Sequence, residues 1–158
     1  MDIIIETPKG SNLKYSWDKD QNLFKAKKKL AAGLVFPFDF GFIPGTEGED
    51  GDPLDIMVIA EFTTFTGCVL DCRLIGCIQA IQGAGDKKLR NDRYLGVPGI
   101  SGWSEEITSI EDLPAEMLRN IESFIINYIS AEGKKIKLLG NLNAKQAYEL
   151  MKSMEKKH

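Results

Sequence analysis

Polar and apolar positions alternate with a period of two through much of the first two-thirds of the chain. Phe36, Phe38, Phe40 and Phe42 are the clearest instance. Side chains two apart share one face of a strand, so this segment carries an aromatic face that suits a core. The same reading predicts strands over residues 2–7, 13–17, 22–28, 35–42, 55–60, 66–82 and 92–97. Lys9-Gly10-Ser11-Asn12 and Asp18-Lys19-Asp20 supply turn chemistry between the first of them. In the 22–28 strand Lys28 points one way, while Lys25, Lys27 and Lys29 are expected on the opposite, solvated face. The last third changes period. Met117, Leu118, Ile121, Phe124, Ile125 and Tyr128 form an apolar stripe at helical spacing. Pro114 suits an early helical position, and Gly133 suits the end. A second helix takes Asn143 as its N-cap and turns Ala144, Ala147, Tyr148 and Met151 to one side. Between the helices, residues 136–139 read as a short strand. Many strands followed by two helices predict an α+β, mainly β fold: a small closed barrel with two C-terminal helices packed outside it.

Composition narrows the class. A chain of 158 residues suits one domain spanning 1–158, and 43% hydrophobic with 27% charged residues is the balance of a soluble globular protein. No apolar run approaches the roughly 20 residues of a membrane span. The start, Met1-Asp2-Ile3-Ile4-Ile5-Glu6, lacks the basic and long apolar regions of a signal peptide, so the cytoplasm is the expected location and no membrane partner is expected. A net charge of -3 argues against a nucleic-acid partner. Cys68, Cys72 and Cys77 lie in strand-like sequence and read as reduced, packed thiols. His158 is the only histidine and is given no catalytic role, which excludes triad chemistry built on histidine and argues against a zinc site.

Five acids fall between Glu47 and Asp55, in Glu47-Gly48-Glu49-Asp50-Gly51-Asp52-Pro53-Leu54-Asp55, and the apolar run Ile56-Met57-Val58-Ile59-Ala60 follows. Crowded carboxylates at the mouth of a strand repel one another, and a hard divalent cation relieves that repulsion. A solvated turn is the plain alternative. A calcium hand is not, because counting Asp50 as position one puts Leu54 at five and Asp55 at six, where the calcium loop needs an oxygen ligand and a glycine.

Asp50-Gly51-Asp52-Pro53-Leu54-Asp55 resembles the signature of the family I soluble inorganic pyrophosphatases. Other landmarks follow in the same order. They are Ile4-Ile5-Glu6-Thr7-Pro8, Lys14-Tyr15, Phe36-Pro37-Phe38-Asp39-Phe40-Gly41-Phe42-Ile43-Pro44, Ile110-Glu111-Asp112-Leu113-Pro114 and Tyr128. The resemblance runs from about Ile3 to Met154. It implies a five-stranded OB-like barrel with flanking helices, a homo-oligomer, and hydrolysis of pyrophosphate with magnesium, or manganese in its place. It also implies site roles. Asp50 and Asp55 become direct metal ligands, and Asp52 orients or deprotonates the attacking water beside them. Glu6 supports the site, and Lys14, Lys28 and Tyr128 meet phosphate, Lys28 standing where the family has an arginine.

The family's second acidic pair and its lysine fit in two registers. One puts Asp86 and Lys88 at the second aspartate and the lysine, and leaves Ile81 or Gln82 at the first. The preferred one counts back from Tyr94-Leu95-Gly96-Val97-Pro98. It makes Asp86 the first acid, with Asn91 at the second, Asp92 one residue away as a substitute ligand, and Arg93 at the lysine. Several polar groups of the family pattern are absent. Ser16 replaces a glutamate, Phe40 a tyrosine, and Ile129 a lysine that clamps phosphate. Neither Phe40 nor Ile129 is expected to be needed for folding. A hydrolase of another phosphoanhydride or phosphate ester, and a non-catalytic phosphate- or nucleotide-binding barrel, are the competing readings.

Overall fold

Alternation in the strands sorts apolar side chains to the two faces of one curved sheet. The computed structural model describes residues 1–157; His158 lies outside the described residues. The elements are β1 (Asp2–Thr7), β2 (Leu13–Asp18), β3 (Leu23–Lys29), β4 (Asp39–Ile43), β5 (Leu54–Val58), β6 (Val69–Ala84), β7 (Lys87–Arg90), β8 (Arg93–Pro98), a 3-10 turn (Ile110–Asp112), α1 (Ala115–Ser130), β9 (Lys135–Asn143) and α2 (Ala144–Ser153). Strands pair in the order β1-β4-β5-β8-β6, and β6 pairs back to β1, so five strands close a ring. β7 and β9 extend the sheet from the far half of β6, while β2 and β3 form a separate hairpin. Only β5 and β8 run parallel; the other pairs are antiparallel.

All five ring strands contribute to one cluster, including Ile3 and Ile5, Ile43, Ile56 and Val58, Leu70 and Leu74, and Tyr94, and Ala147 and Met151 of α2 join it. The alternate positions, among them Phe40, Met57, Ile75, Ile78, Leu95 and Val97, form a second cluster beneath Ile121, Phe124 and Ile125 of α1. Gly41 is required where β4 crosses β1, because a Cβ there would stand 2.0 Å from the carbonyl oxygen of Ile4. Cys72 and Cys77 are buried, Cys68 is half-buried, and all three are free thiols.

The predicted barrel and both helices are present, with shifted limits. The 35–42 strand begins only at Asp39. Pro37 has no N–H to give a ladder, and Phe36 instead bonds the 9–11 loop, accepting from Gly10 N at 2.8 Å and donating to Ser11 O at 3.1 Å. Its phenylalanines are buried all the same. β6 runs on to Ala84, two residues past the predicted end, because β7 pairs with its last four residues. The predicted 136–139 strand is the nine-residue β9, held along β6 from Gly76 to Gly83. Lys27 and Lys29 are exposed as expected, but Lys25 is half-buried and pairs with Asp18 at 3.0 Å. Asn143 caps α2 as predicted, its side chain accepting from Gln146 N at 2.9 Å, while Asn143 N donates to Gln146 Oε1 at 3.0 Å.

Candidate active site

The outer face of the ring, at the edge of the cluster beneath α1, gathers charge from six elements. Glu6 lies near the end of β1. Its carboxylate accepts from Trp17 N at 2.7 Å and pairs with Lys14 at 3.5 Å, so β1 fixes the cation of β2. The Lys14 ammonium lies 4.3 Å from the ring centre of Phe40, where the aromatic face adds a favourable field. Parallel pairing sets Asp55 of β5 beside Arg93 of β8, and Arg93 Nε is 3.8 Å from the Asp55 carboxylate. The buried guanidinium also donates to Gln82 Oε1 and to the Asn91 carbonyl, both at 2.6 Å. Lys28 of β3 sits 4.4 Å from the ring centre of Tyr128 on α1 and pairs with Glu132, which also meets Lys134 at 3.3 Å.

The acidic loop enters this face from the β4–β5 side. Gly51 adopts φ 83°, a left-handed turn that costs a side-chain-bearing residue more. Asp50 Oδ1 accepts from Asp52 N at 3.0 Å, and Gly48 N donates to Asp52 O at 2.8 Å. Glu49 accepts from Arg90 N at 2.8 Å, tying the loop to β7. Thr46 closes its base, accepting from Leu54 N and donating to Ile43 O. The loop is therefore held by its own backbone, with Asp50 and Asp52 exposed at the mouth.

Burial pushes the Asp55 carboxyl up to about 6; Arg93 and Lys14 oppose that shift, while Glu6 and Asp50 add to it. Burial likewise raises the Tyr128 phenol, with Asp55 and Glu6 adding and Arg93 opposing. It pulls the Arg93 guanidinium down against the charges of Asp55, Tyr128, Asp50 and Asp92. Glu6, Lys14, Asp50, Asp55, Arg93 and Tyr128 thus form one electrostatic group, with Lys28 at its edge.

The structure does not bring the whole expected set together. Asp86 stands exposed in the turn between β6 and β7, carried there because β6 continues to Ala84, and none of the site contacts reaches it. The preferred register made Asp86 the first acid, and that is corrected: Asp86 lies at the turn, and Gln82, which the other register left at the first acid's position, is the residue that meets Arg93. Lys88 is exposed on β7 opposite Gly83. The expected substitute metal ligand Asp92 is instead engaged by protein donors: its Oδ1 accepts from Ala80 N at 3.0 Å and Arg90 Nε at 3.1 Å, and its Oδ2 from Arg90 Nη2 at 2.7 Å. Ile129 is 2% exposed and Phe40 7%, so both are core residues and the expectation that neither matters for folding is wrong. Ile129 follows Ile121 and Ile125 at four-residue steps on the buried face of α1. Sequence reading passed over Gln82 and Glu132. Gln82 carries no charge to mark it, although one register had reached that position, and Glu132 lies just past a helix whose apolar stripe drew the attention.

Among the described residues no three His, Cys, Asp or Glu side chains stand close enough to cage a metal ion. The donor set still fits one kind of cation. Asp50 and Asp55 feel each other's charge, and Asp50 lies at an open mouth. A hard ion that keeps most of its water, takes one or two carboxylates and completes its shell with phosphate oxygens matches this arrangement.

A closed five-stranded barrel whose outer face sets carboxylates beside lysine and arginine, as in the Glu6–Lys14 and Asp55–Arg93 pairs, defines a class of proteins that handle phosphate-bearing anions. Comparison with known proteins narrows it. The family model described as "Inorganic pyrophosphatase" matches residues 3–158. An inorganic pyrophosphatase of Synechocystis is 41% identical over 140 residues, covering 89% of this chain and 80% of the relative. One of Methanosarcina acetivorans is 33% identical over 156 residues, 99% and 90% of the two chains. The crystal structure of inorganic pyrophosphatase from Thermus thermophilus superimposes with a TM-score of 0.88 at 30% identity, covering 98% of this chain and 88% of that one. The chain belongs to the inorganic pyrophosphatase family.

Proposed function

We propose that this protein hydrolyses inorganic pyrophosphate to two orthophosphates with the help of a divalent cation, magnesium or, in its place, manganese. The observation that carries the reading is the Asp55–Arg93 pair set side by side by parallel strands, with Asp50 and Lys14 acting on the same carboxylate. Asp50 and Asp55 would hold the cation, which when bound neutralises phosphate charge and acidifies water. Asp52, exposed at the mouth, orients the attacking water and accepts its proton. Lys14 and Arg93 hold phosphate oxygens; Arg93 is already seated by Gln82 and Asn91, so little reorganisation is needed as charge shifts. Tyr128 presents a phenol kept protonated by burial and by Asp55. Lys28 takes an outer phosphate oxygen as a point charge. Glu6 positions Lys14 and touches no substrate. Asp92, Asp86 and Lys88 have no part in the step.

The reading extends to residues 1–158 acting as one domain in the cytoplasm, without a nucleic-acid or membrane partner, and no helix of the described residues is long and apolar enough to cross a membrane. It also includes a homo-oligomer, an expectation that rests on the family resemblance. Orthophosphate release from pyrophosphate, and from a panel of other phosphoanhydrides and phosphate esters, tests the central claim. Release from pyrophosphate should need magnesium or manganese, vanish in chelator and fall at least a hundredfold in Asp52→Asn. Preference for another panel member, or turnover unaffected by Asp52→Asn, would overturn it.

A further inference from the structure

Each cation of the pocket has a carboxylate partner, and the three partners are held very differently. Glu6, on Lys14, is buried in β1 and fixed by Trp17 N. Asp55, on Arg93, is part of β5. Glu132, on Lys28, belongs to the turn that follows α1, next to Gly133 at φ 77°. Among the described residues its carboxylate meets only two lysines: Lys28 on the pocket side and Lys134 at 3.3 Å. Burial, together with the charges of Lys134 and Lys14, pulls the Lys28 ammonium below the usual lysine range, and Glu132 is the carboxylate in contact with it.

We propose that Glu132 is a specificity-determining residue: it occupies Lys28 until a phosphate group takes that lysine, and then rests on Lys134. The proposal builds on the reading of this pocket as a pyrophosphate site. A phosphate dianion outcompetes one carboxylate for an ammonium group, whereas a singly charged anion gains little from the exchange. Lys134 makes the exchange inexpensive, since Glu132 keeps a cation after release. Lys28 is 36% and Glu132 20% exposed, so the pair is a modest one, and substrate can break it. The contact thus sets a charge threshold for entry: polyanionic phosphates pass it and weaker anions do not.

The test is a double-mutant cycle on Lys28→Ala and Glu132→Gln. In steady-state assays with magnesium pyrophosphate at pH 7, Glu132→Gln should lower KM about three- to fivefold, the scale of a part-exposed ion pair, with kcat changed less than about twofold. Lys28→Ala should raise KM, and adding Glu132→Gln to it should change nothing further. Calorimetric titration with inorganic phosphate should repeat the pattern in affinity. Should Glu132→Gln fail to fold, Glu132→Ala replaces it. An unchanged or raised KM in Glu132→Gln overturns the proposal. So does an equal drop in KM without Lys28, which would reduce Glu132 to a general negative field. If the parent does not turn over pyrophosphate, the functional reading fails on that result. The phosphate titrations of the four proteins then decide the role of Glu132 separately.

Discussion

Acidifying the metal-free protein should stabilise it before it destabilises it, and Asp55 should be the cause. Its carboxyl has an ordinary value near 3.8 and is raised to about 6 in the folded chain, chiefly by burial. Five groups face it: Arg93 from β8, Lys14 from β2, Glu6 from β1, Asp50 from the acidic loop and Tyr128 from α1. A raised folded value means the native state binds the proton more tightly than the unfolded state. The resulting stability is fully present below the unfolded value and is lost as pH rises through about 6. Between pH 8 and pH 5 the native state should gain about 1.4 kcal/mol. Below about pH 4 the gain is masked, because Asp18, Glu61 and Asp112, whose carboxyls hydrogen bonds hold below the usual range, begin to lose theirs. The assay is urea unfolding at pH 8, 7, 6 and 5 in chelator, for the parent and for Asp55→Asn. The parent should show the gain and the variant should lose it. In millimolar magnesium the parent's gain should shrink or reverse, because a cation on Asp55 favours the ionised form. A parent whose stability in chelator is flat or rises with pH, or an Asp55→Asn profile parallel to the parent's, would refute the assignment of a half-buried, disfavoured charge to Asp55.

Two further outcomes are expected. Ile129→Lys should lower stability by about 3 kcal/mol or more and leave pyrophosphatase activity no higher, because it places an unpaired ammonium on the buried face of α1; thermal melts beside Ile129→Val, at about 1 kcal/mol, check this. Asn143→Ala should cost about 1 kcal/mol by removing the side-chain oxygen that accepts from Gln146 N at the start of α2, read by urea unfolding, with the metal-dependent rate unchanged.

What could be read from the sequence was what the chain writes locally. The acidic loop announced itself because its acids are neighbours, and β5 because the apolar run Ile56-Met57-Val58-Ile59-Ala60 follows them directly. The cap at Asn143 is a four-residue pattern. The misses are non-local. Whether Lys87–Arg90 forms a strand depends on β6 offering an edge, and the lysines of β9 hide a nine-residue pairing in what looks like a short one. Counting along the chain put Asp86 in the site because counting cannot tell a strand from a hairpin tip. Ile129 was judged by the residue expected there, whereas its place on α1 is fixed by Ile121 and Ile125. Asp39 went unnoticed within an aromatic run, yet it is buried and accepts four hydrogen bonds, from Lys9 N, Thr63 Oγ1, Thr64 N and Thr64 Oγ1.

The sixteen residues of β6 bond in turn to β1, β8, β9 and β7. This single strand therefore sets the order in which the chain can become ordered as it is made. β1 must wait some sixty residues for its second neighbour, with Asp2 opposite Asp71, and the edge of β6 from Gly76 to Gly83 stays open until residues 135–143 arrive. Contacts so distant in sequence form slowly and leave strand edges bare meanwhile. Because the charged pocket draws on residues from Glu6 to Glu132, no early fragment of the chain can carry it. Whatever chemistry the pocket performs begins only after the ring has closed and α1 has been laid across it.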